Sequence, residues 1–225
     1  MPESQSHGKT WETDLALNVY KATEAELASV SHTAPMDVPS QFNRLDGIDL
    51  SVKVTGADAV DMGDIVRIFN EVSSGKPVHM TVIRYEQTAT TKKLKSITEV
   101  DLTNSVTLLF GDTTLAQIEE LVAYVKSIPH NGRTPEHQAN YKRMAAALKK
   151  GLISYAPKVD SKTQRRVQGH FSKFRKFVLD NPSRLIAESD GCQFRGGTVK
   201  AEIVSPRRVR NKKPVSDLTP HSPPI

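Results

Sequence analysis

Hydrophobic positions recur along this chain with two different periods, and the switches between them outline its elements. From Trp11 to about Val30, Leu15, Val19, Ala22 and Leu27 return near helical spacing. Thr10 stands just ahead of them, and its hydroxyl can accept from the first free backbone amides, so a helix is predicted here. The pattern breaks across Ser31 to Asn43, where Pro35 and Pro39 leave room for at most a short strand. From Gly47 the period becomes two. Ile48, Leu50, Val52 and Val54 alternate with Asp49, Ser51, Lys53 and Thr55 up to Gly56, as in a strand with one face on a core and the other open. A short helix is predicted over Met62 to Val72 and a turn over Ser73 to Pro77. Val78 to Gln87 and Leu94 to Thr103 read as an antiparallel pair around a polar hairpin, and Val106 to Phe110 as one more strand.

Helical spacing dominates downstream. Asp112 to Thr114 can cap a helix whose Leu115, Ile118, Leu121, Val122, Val125 and Ile128 form an apolar stripe. Thr134-Pro135 is a cap with proline at the first helical position, opening a helix to about Ile153. Ser161 can cap a third, with Val167, Phe171, Phe174 and Val178 on one side and Arg165, Arg166, Lys173 and Lys176 on the others. Gln193 to Val204, with Gly196-Gly197, reads as a closing hairpin, and the proline-rich stretch from Ser205 to Ile225 as mobile. Three regions follow: an α/β core over 1–111, a mainly helical basic region with the hairpin over 112–204, and a flexible basic tail over 205–225.

Charge sharpens that division. Residues 1–140 carry 12 Lys/Arg against 19 Asp/Glu, whereas residues 141–176 carry 11 against 1. An acidic body that can hold a cation therefore adjoins a basic stretch that can hold a polyanion. No apolar run approaches the roughly 18 residues that span a bilayer, and the polar Met1 to Ser6 lacks the apolar stretch of a signal peptide. The expected protein works inside a cell (cytoplasm or nucleoid, or a host cell if viral), off the membrane, with DNA as partner. Cys192 is the single cysteine, which rules out an intrachain disulfide or a multi-cysteine zinc site. The seven histidines are dispersed without metal-ligand spacing, and no glycine-rich phosphate loop is present.

The chemistry concentrates on the predicted strand. Alternation puts Asp49, Ser51 and Lys53 on one side of it, and a hairpin could bring Asp37, fourteen positions before Ser51, alongside. Phosphodiester hydrolysis needs carboxylates to hold Mg²⁺ against the scissile phosphate and a lysine to orient the attacking water. On these residues the chain resembles the PD-(D/E)XK nuclease superfamily, which includes type II restriction endonucleases and Holliday-junction resolvases. Glu12 in Trp11-Glu12-Thr13 looks like the family's helical glutamate, Asp37 in Met36-Asp37-Val38 like its aspartate, and Ser51-Val52-Lys53 like its acid-x-Lys position. Met36 stands where the family has proline, and Ser51 where it has the second acid.

The resemblance covers residues 8–103 and implies a restriction-endonuclease-like mixed sheet flanked by helices, here with a helical, basic C-terminal half. In a restriction-enzyme subgroup with serine at that position, the missing acid comes from the following helix. Asp61, Asp64 and Glu71 are the candidates here, Asp64 being preferred for its place on the first helical turn, with Asp49 as the competing replacement. The function implied is Mg²⁺-dependent cleavage of double-stranded DNA, with Asp37, Ser51, Lys53 and Glu12 as catalytic residues and Asp37, Asp49 and Asp64 as metal ligands. A homodimer would match two-fold DNA sites. Lys142, Arg143, Arg165, Arg166, Lys173 and Lys176, with Arg207, Arg208 and Arg210, are candidates for DNA phosphate contacts. The rival is a nucleic-acid-binding or virion-associated protein whose nuclease-like core is inactive.

Overall fold

The computed structural model describes residues 3–30, 36–43, 47–129, 133–159 and 166–205, with side chains from Thr10 onward. Asp49–Thr55 forms β1, as its alternation predicts, and its core-facing Leu50 and Val52 are buried. Beyond it, Val60–Asp64 is a short strand, β2, and Ile65–Ser73 is helix α3 of the chain's helices, following Glu3–Asn18 (α1) and Glu24–Ser29 (α2). Val78–Gln87 (β3) and Thr91–Asp101 (β4) form the expected antiparallel pair. Because α3 carries the chain back across the sheet, β3 lies parallel to β1, with Ser51 opposite Met80 and Lys53 opposite Val82.

The resulting mixed sheet runs β1-β3-β4, and two late strands share the far side of β4: Leu185–Asp190 (β7) and Glu202–Val204 (β10). Strand pleating divides the core in two. On one face Leu50, Val52, Ile83 and Ile97 pack under Trp11 and Leu15 of α1 and Val19 just after it. On the other, Val78, Met80, Val82 and Val100 pack against α3, against Leu115–Ser127 (α5), and against a three-stranded antiparallel sheet. That small sheet has the order β2-β6-β5, with Ile153–Lys158 as β5 and Arg166–Phe171 as β6. The described residues thus make an α/β structure with a mixed sheet flanked by helices. None of their helices is long and apolar enough to cross a membrane.

Four expectations need correction, each for a local physical reason. The first helix does not reach Val30: Lys21 takes a left-handed φ of 62°, and α2 restarts behind Thr23, whose hydroxyl and Glu26 form a capping box. The helix expected from Met62 begins only at Ile65, because Val60–Asp64 pairs with β6. Val106–Phe110 is not a strand but a short helix, α4, with Leu109 N bonded to Ser105 O. Short apolar runs suit either state until packing decides.

The mainly helical C-terminal half is the fourth correction. Pro135–Ala147 (α6) stops before Ile153, which opens β5. The third expected helix is divided into β6 and Phe174–Asp180 (α7). Val167, Gly169 and Phe171 obey period two as well as helical spacing, and Gly169 faces the core, where a Cβ would come within 2.8 Å of Ile65 Cδ1. Glycine is a poor helix residue and here permits close packing of strand on helix. The basic residues of this stretch are accordingly spread over α6, β5, β6 and α7 and do not form one helical face. In the closing segment, Gln193–Phe194 (β8) pairs with Gly197–Thr198 (β9), while β10 leaves to join β4.

Candidate active site

The segment before β1 is tied to the outer edge of that strand. Asp37 N and Val38 N both donate to Leu50 O, at 3.0 and 3.1 Å, and Leu50 N donates to Val38 O at 3.0 Å. Asp49 completes the attachment by accepting from Ser40 N at 2.6 Å. The Asp37 carboxylate then continues the ladder with its side chain: Oδ2 accepts from Val52 N at 2.7 Å, from Lys53 Nζ at 3.2 Å, and at a long 3.4 Å from Ser51 Oγ. Asp37 and Lys53 are 34% and 16% exposed, so the ion pair is shielded on the lysine side and open on the acid side. The three residues singled out as Asp37 and Ser-x-Lys therefore meet at one atom.

From Ser51 a pocket opens toward α3. Met36, Met62, Ile68 and Val72 supply its apolar walls, and Ser51, Arg67 and Glu71 are its polar members. Burial, and after it the negative charge of Asp49, lift the Glu71 carboxyl above the ordinary glutamate range, against the pull of Lys76 and Arg67. Two acids thus work against each other beside the hydroxyl that stands in the acid position.

Placement of the other predicted residues is uneven. Asp64 is the N-cap of α3: its Oδ1 accepts from Arg67 N at 3.1 Å, and it does not line the pocket. Asp61 closes a turn by accepting from Gly63 N at 3.0 Å. Glu12 belongs to α1, the helix that covers the opposite face of the sheet from Ser51. Lys142, Arg143, Lys173 and Lys176 are exposed on α6 and around α7, Lys176 paired with Asp180 at 2.6 Å, and Arg166 begins β6. Arg165, Arg207, Arg208 and Arg210 lie outside the described residues.

Glu71 was legible as a candidate but ranked below Asp64, which was preferred for its place on the first helical turn; once the helix starts at Ile65, that acid is consumed as its cap. Arg67 escaped notice altogether. Its signal was the spacing Arg67–Glu71, one helical turn apart beside the buried Ile68 and Val72.

Among the described residues no three His, Cys, Asp or Glu side chains are grouped closely enough to hold a metal by themselves. No family model matches the chain, and no curated protein or solved structure matches it.

Proposed function

We propose that this chain is a Mg²⁺-dependent endonuclease of the PD-(D/E)XK type that hydrolyses phosphodiester bonds in double-stranded DNA. The observation that carries the reading is the meeting of Lys53 Nζ with Asp37 Oδ2 at 3.2 Å, next to Ser51, which lines a pocket together with Glu71. The order of parts supports it as well: a helix, an aspartate-bearing segment on the strand edge, the Ser-x-Lys strand, then an acid-bearing helix. A restriction-endonuclease-like core, acting as a homodimer, belongs to the same reading.

The donor set fits a hard divalent cation. Its members are oxygen ligands, and Mg²⁺ commonly needs only one or two protein carboxylates, with water and substrate phosphate completing its shell. Asp37, beside Ser51, and Glu71, which lines the pocket with it, are the ligands we assign, and the repulsion between Glu71 and Asp49 is what a cation would relieve. When bound, the ion supplies positive charge for the developing phosphate and acidifies the attacking water.

The chain's own residues do the rest. Lys53, held beside Ser51 by its pair with Asp37, orients the attacking water and offsets negative charge as it accumulates on the phosphate oxygens. Ser51 offers a hydroxyl where a second strand acid would add charge, and Asp49 holds the Asp37 segment in place through Ser40. The exposed cations of α6 and α7 contact phosphates without reading sequence.

The exposed cations of α6 and α7 suit one second reading as well, a DNA-binding protein with an inactive core. Incubation of supercoiled plasmid with and without Mg²⁺ separates the two. Nicking or linearisation that requires Mg²⁺ is expected, with Lys53→Ala slowing it by about a hundredfold or more while duplex binding persists. A protein that binds duplex but leaves the plasmid intact at every Mg²⁺ concentration would be the inactive form.

A further inference from the structure

A second cleft lies between the mixed sheet and α7, and the proposed nuclease site makes no use of it. Three neighbouring strands form its floor with Arg84 of β3, Thr98 of β4 and Glu188 of β7, and α7 forms its other wall with Phe174, Arg175, Val178 and Leu179. Register explains the floor. Arg84 lies opposite Ser96 and Thr98 opposite Glu188, so these side chains share one side of the sheet.

Two arginines from different elements therefore line one cleft, and both are unspent. Among the described residues neither guanidinium makes a hydrogen bond or an ion pair; Arg175 bonds to Asp58 only through its backbone amide, at 3.2 Å. The acid of the cleft is engaged elsewhere: Glu188 Oε1 accepts from Thr98 Oγ1 at 3.1 Å, and no ion pair joins Glu188 to either arginine. Other arginines are committed inside the protein, Arg195 to Glu99 and Arg184 to the carbonyls of Asp101 and Thr103. Two cations sharing a cleft without a counter-ion repel each other, and an anion of higher charge seated between them removes that cost. A carboxylate has two oxygens and fills one guanidinium fork, whereas a terminal phosphate carries nearly two charges and three free oxygens and can engage both forks. At the rim, Leu179 is 70% exposed and offers an apolar surface beside the cations.

We propose that this cleft binds the terminal phosphate of a nucleotide, with Arg84 and Arg175 on the phosphate and Leu179 against the base. The site stands apart from Asp37 and Lys53 and does not rest on the nuclease reading. A free nucleotide and the 5′ end of a strand offer the same chemistry, and the experiment has an arm for each.

The full chain is titrated calorimetrically with dAMP and with inorganic phosphate, and fluorescent single strands with and without a 5′-phosphate are compared by anisotropy. Saturable dAMP binding is expected, tighter than that of inorganic phosphate. Arg84→Gln and Arg175→Gln should each weaken it by about tenfold, as for loss of a charged hydrogen bond. Glu188→Gln removes the nearby negative charge and keeps an acceptor for Thr98, so it should tighten binding. Leu179→Ser should weaken dAMP and leave inorganic phosphate unchanged. A 5′-phosphate that strengthens strand binding only while Arg175 is present identifies the strand end as the source; equal binding of the two strands identifies the free nucleotide. Absence of saturable dAMP binding at millimolar concentration, or binding unchanged in Arg175→Gln, overturns the proposal. So does a Glu188→Gln variant weakened as much as the arginine variants, since the arginines would then serve the acid and not a ligand. If circular dichroism shows Arg84→Gln unfolded, Arg175→Gln decides alone, because that exposed side chain makes no bond within the described residues.

Discussion

The two faces of the mixed sheet both carry charged side chains, and they treat them in opposite ways. On the α1 face, Glu99 is fully buried in β4, yet each of its oxygens is matched. His79 Nδ1 lies 2.8 Å from Oε1, Arg195 Nη1 donates to both oxygens at 2.8 and 3.0 Å, and the Tyr20 hydroxyl donates at 3.0 Å while lying 2.6 Å from Thr81 Oγ1. Burial works to raise the Glu99 carboxyl, but the His79 and Arg195 contacts outweigh it and hold the group below the ordinary glutamate range. Burial, with Glu99's charge behind it, also drives the Tyr20 hydroxyl far above its usual range, so it remains a donor. On the α3 face, Glu71 is only half-buried and is raised, with a second acid as its neighbour. A saturated buried network fastens Tyr20, just after α1, and the β8–β9 turn to the sheet. A strained, accessible set of acids is where a ligand can still be accommodated.

Breaking the saturated network should have the largest effect on stability. Glu99→Ala removes the buried acceptor that His79, Arg195 and Tyr20 share, and the expected loss is about 3–5 kcal/mol, read as a fall in the urea midpoint. The same network sets an acid limit. Since the folded carboxyl titrates below its ordinary 4.5, its contribution is whole above that pH and is lost as pH falls through the folded value. Glu99→Ala should flatten this acid decline; an equally steep decline in the variant would place the titrating group elsewhere.

Gly63→Ala probes the pocket side. Its left-handed φ and the guanidinium lying over it predict a cost of roughly 1–3 kcal/mol, read as a fall in the urea midpoint. An unchanged midpoint in Gly63→Ala would mean that the chain takes up both the left-handed backbone and the contact with Arg67 without strain. The smallest effect, of opposite sign, is expected at Glu71→Gln. A carboxyl raised in the folded state contributes stability below its ordinary pKa and loses it as pH rises through the folded value. The glutamine variant should therefore be slightly more stable than the unaltered chain at neutral pH, by a margin solvent screening keeps small, and no different in acid. Identical neutral midpoints would mean that the two acids do not strain the pocket.

Much of this was legible in residue order. The alternation from Ile48 to Val54 identified β1 and assigned Ser51 and Lys53 to the face away from Leu50 and Val52, because side chains in a strand must alternate. The β3–β4 pair and the Thr114 and Thr134 caps were equally local, and both threonines accept from the amide three residues on. What order alone left open was every choice that two local patterns satisfy equally. Val167 to Phe171 fits helix or strand, and it became a strand because β2 and β5 flank it and Gly169 lets α3 approach. Asp64 and Glu71 are both helix acids, and they diverged because the helix begins at Ile65, which makes one a cap and turns the other toward Ser51. Glu99 gave the same lesson from the core side: nothing in Thr98-Glu99-Val100 announces a buried acid, and it is held by His79, Tyr20 and Arg195, which are distant in sequence. Local periodicity comes from backbone geometry and is written in neighbouring residues, whereas the electrostatic role of an acid depends on what burial and long-range contacts place beside it.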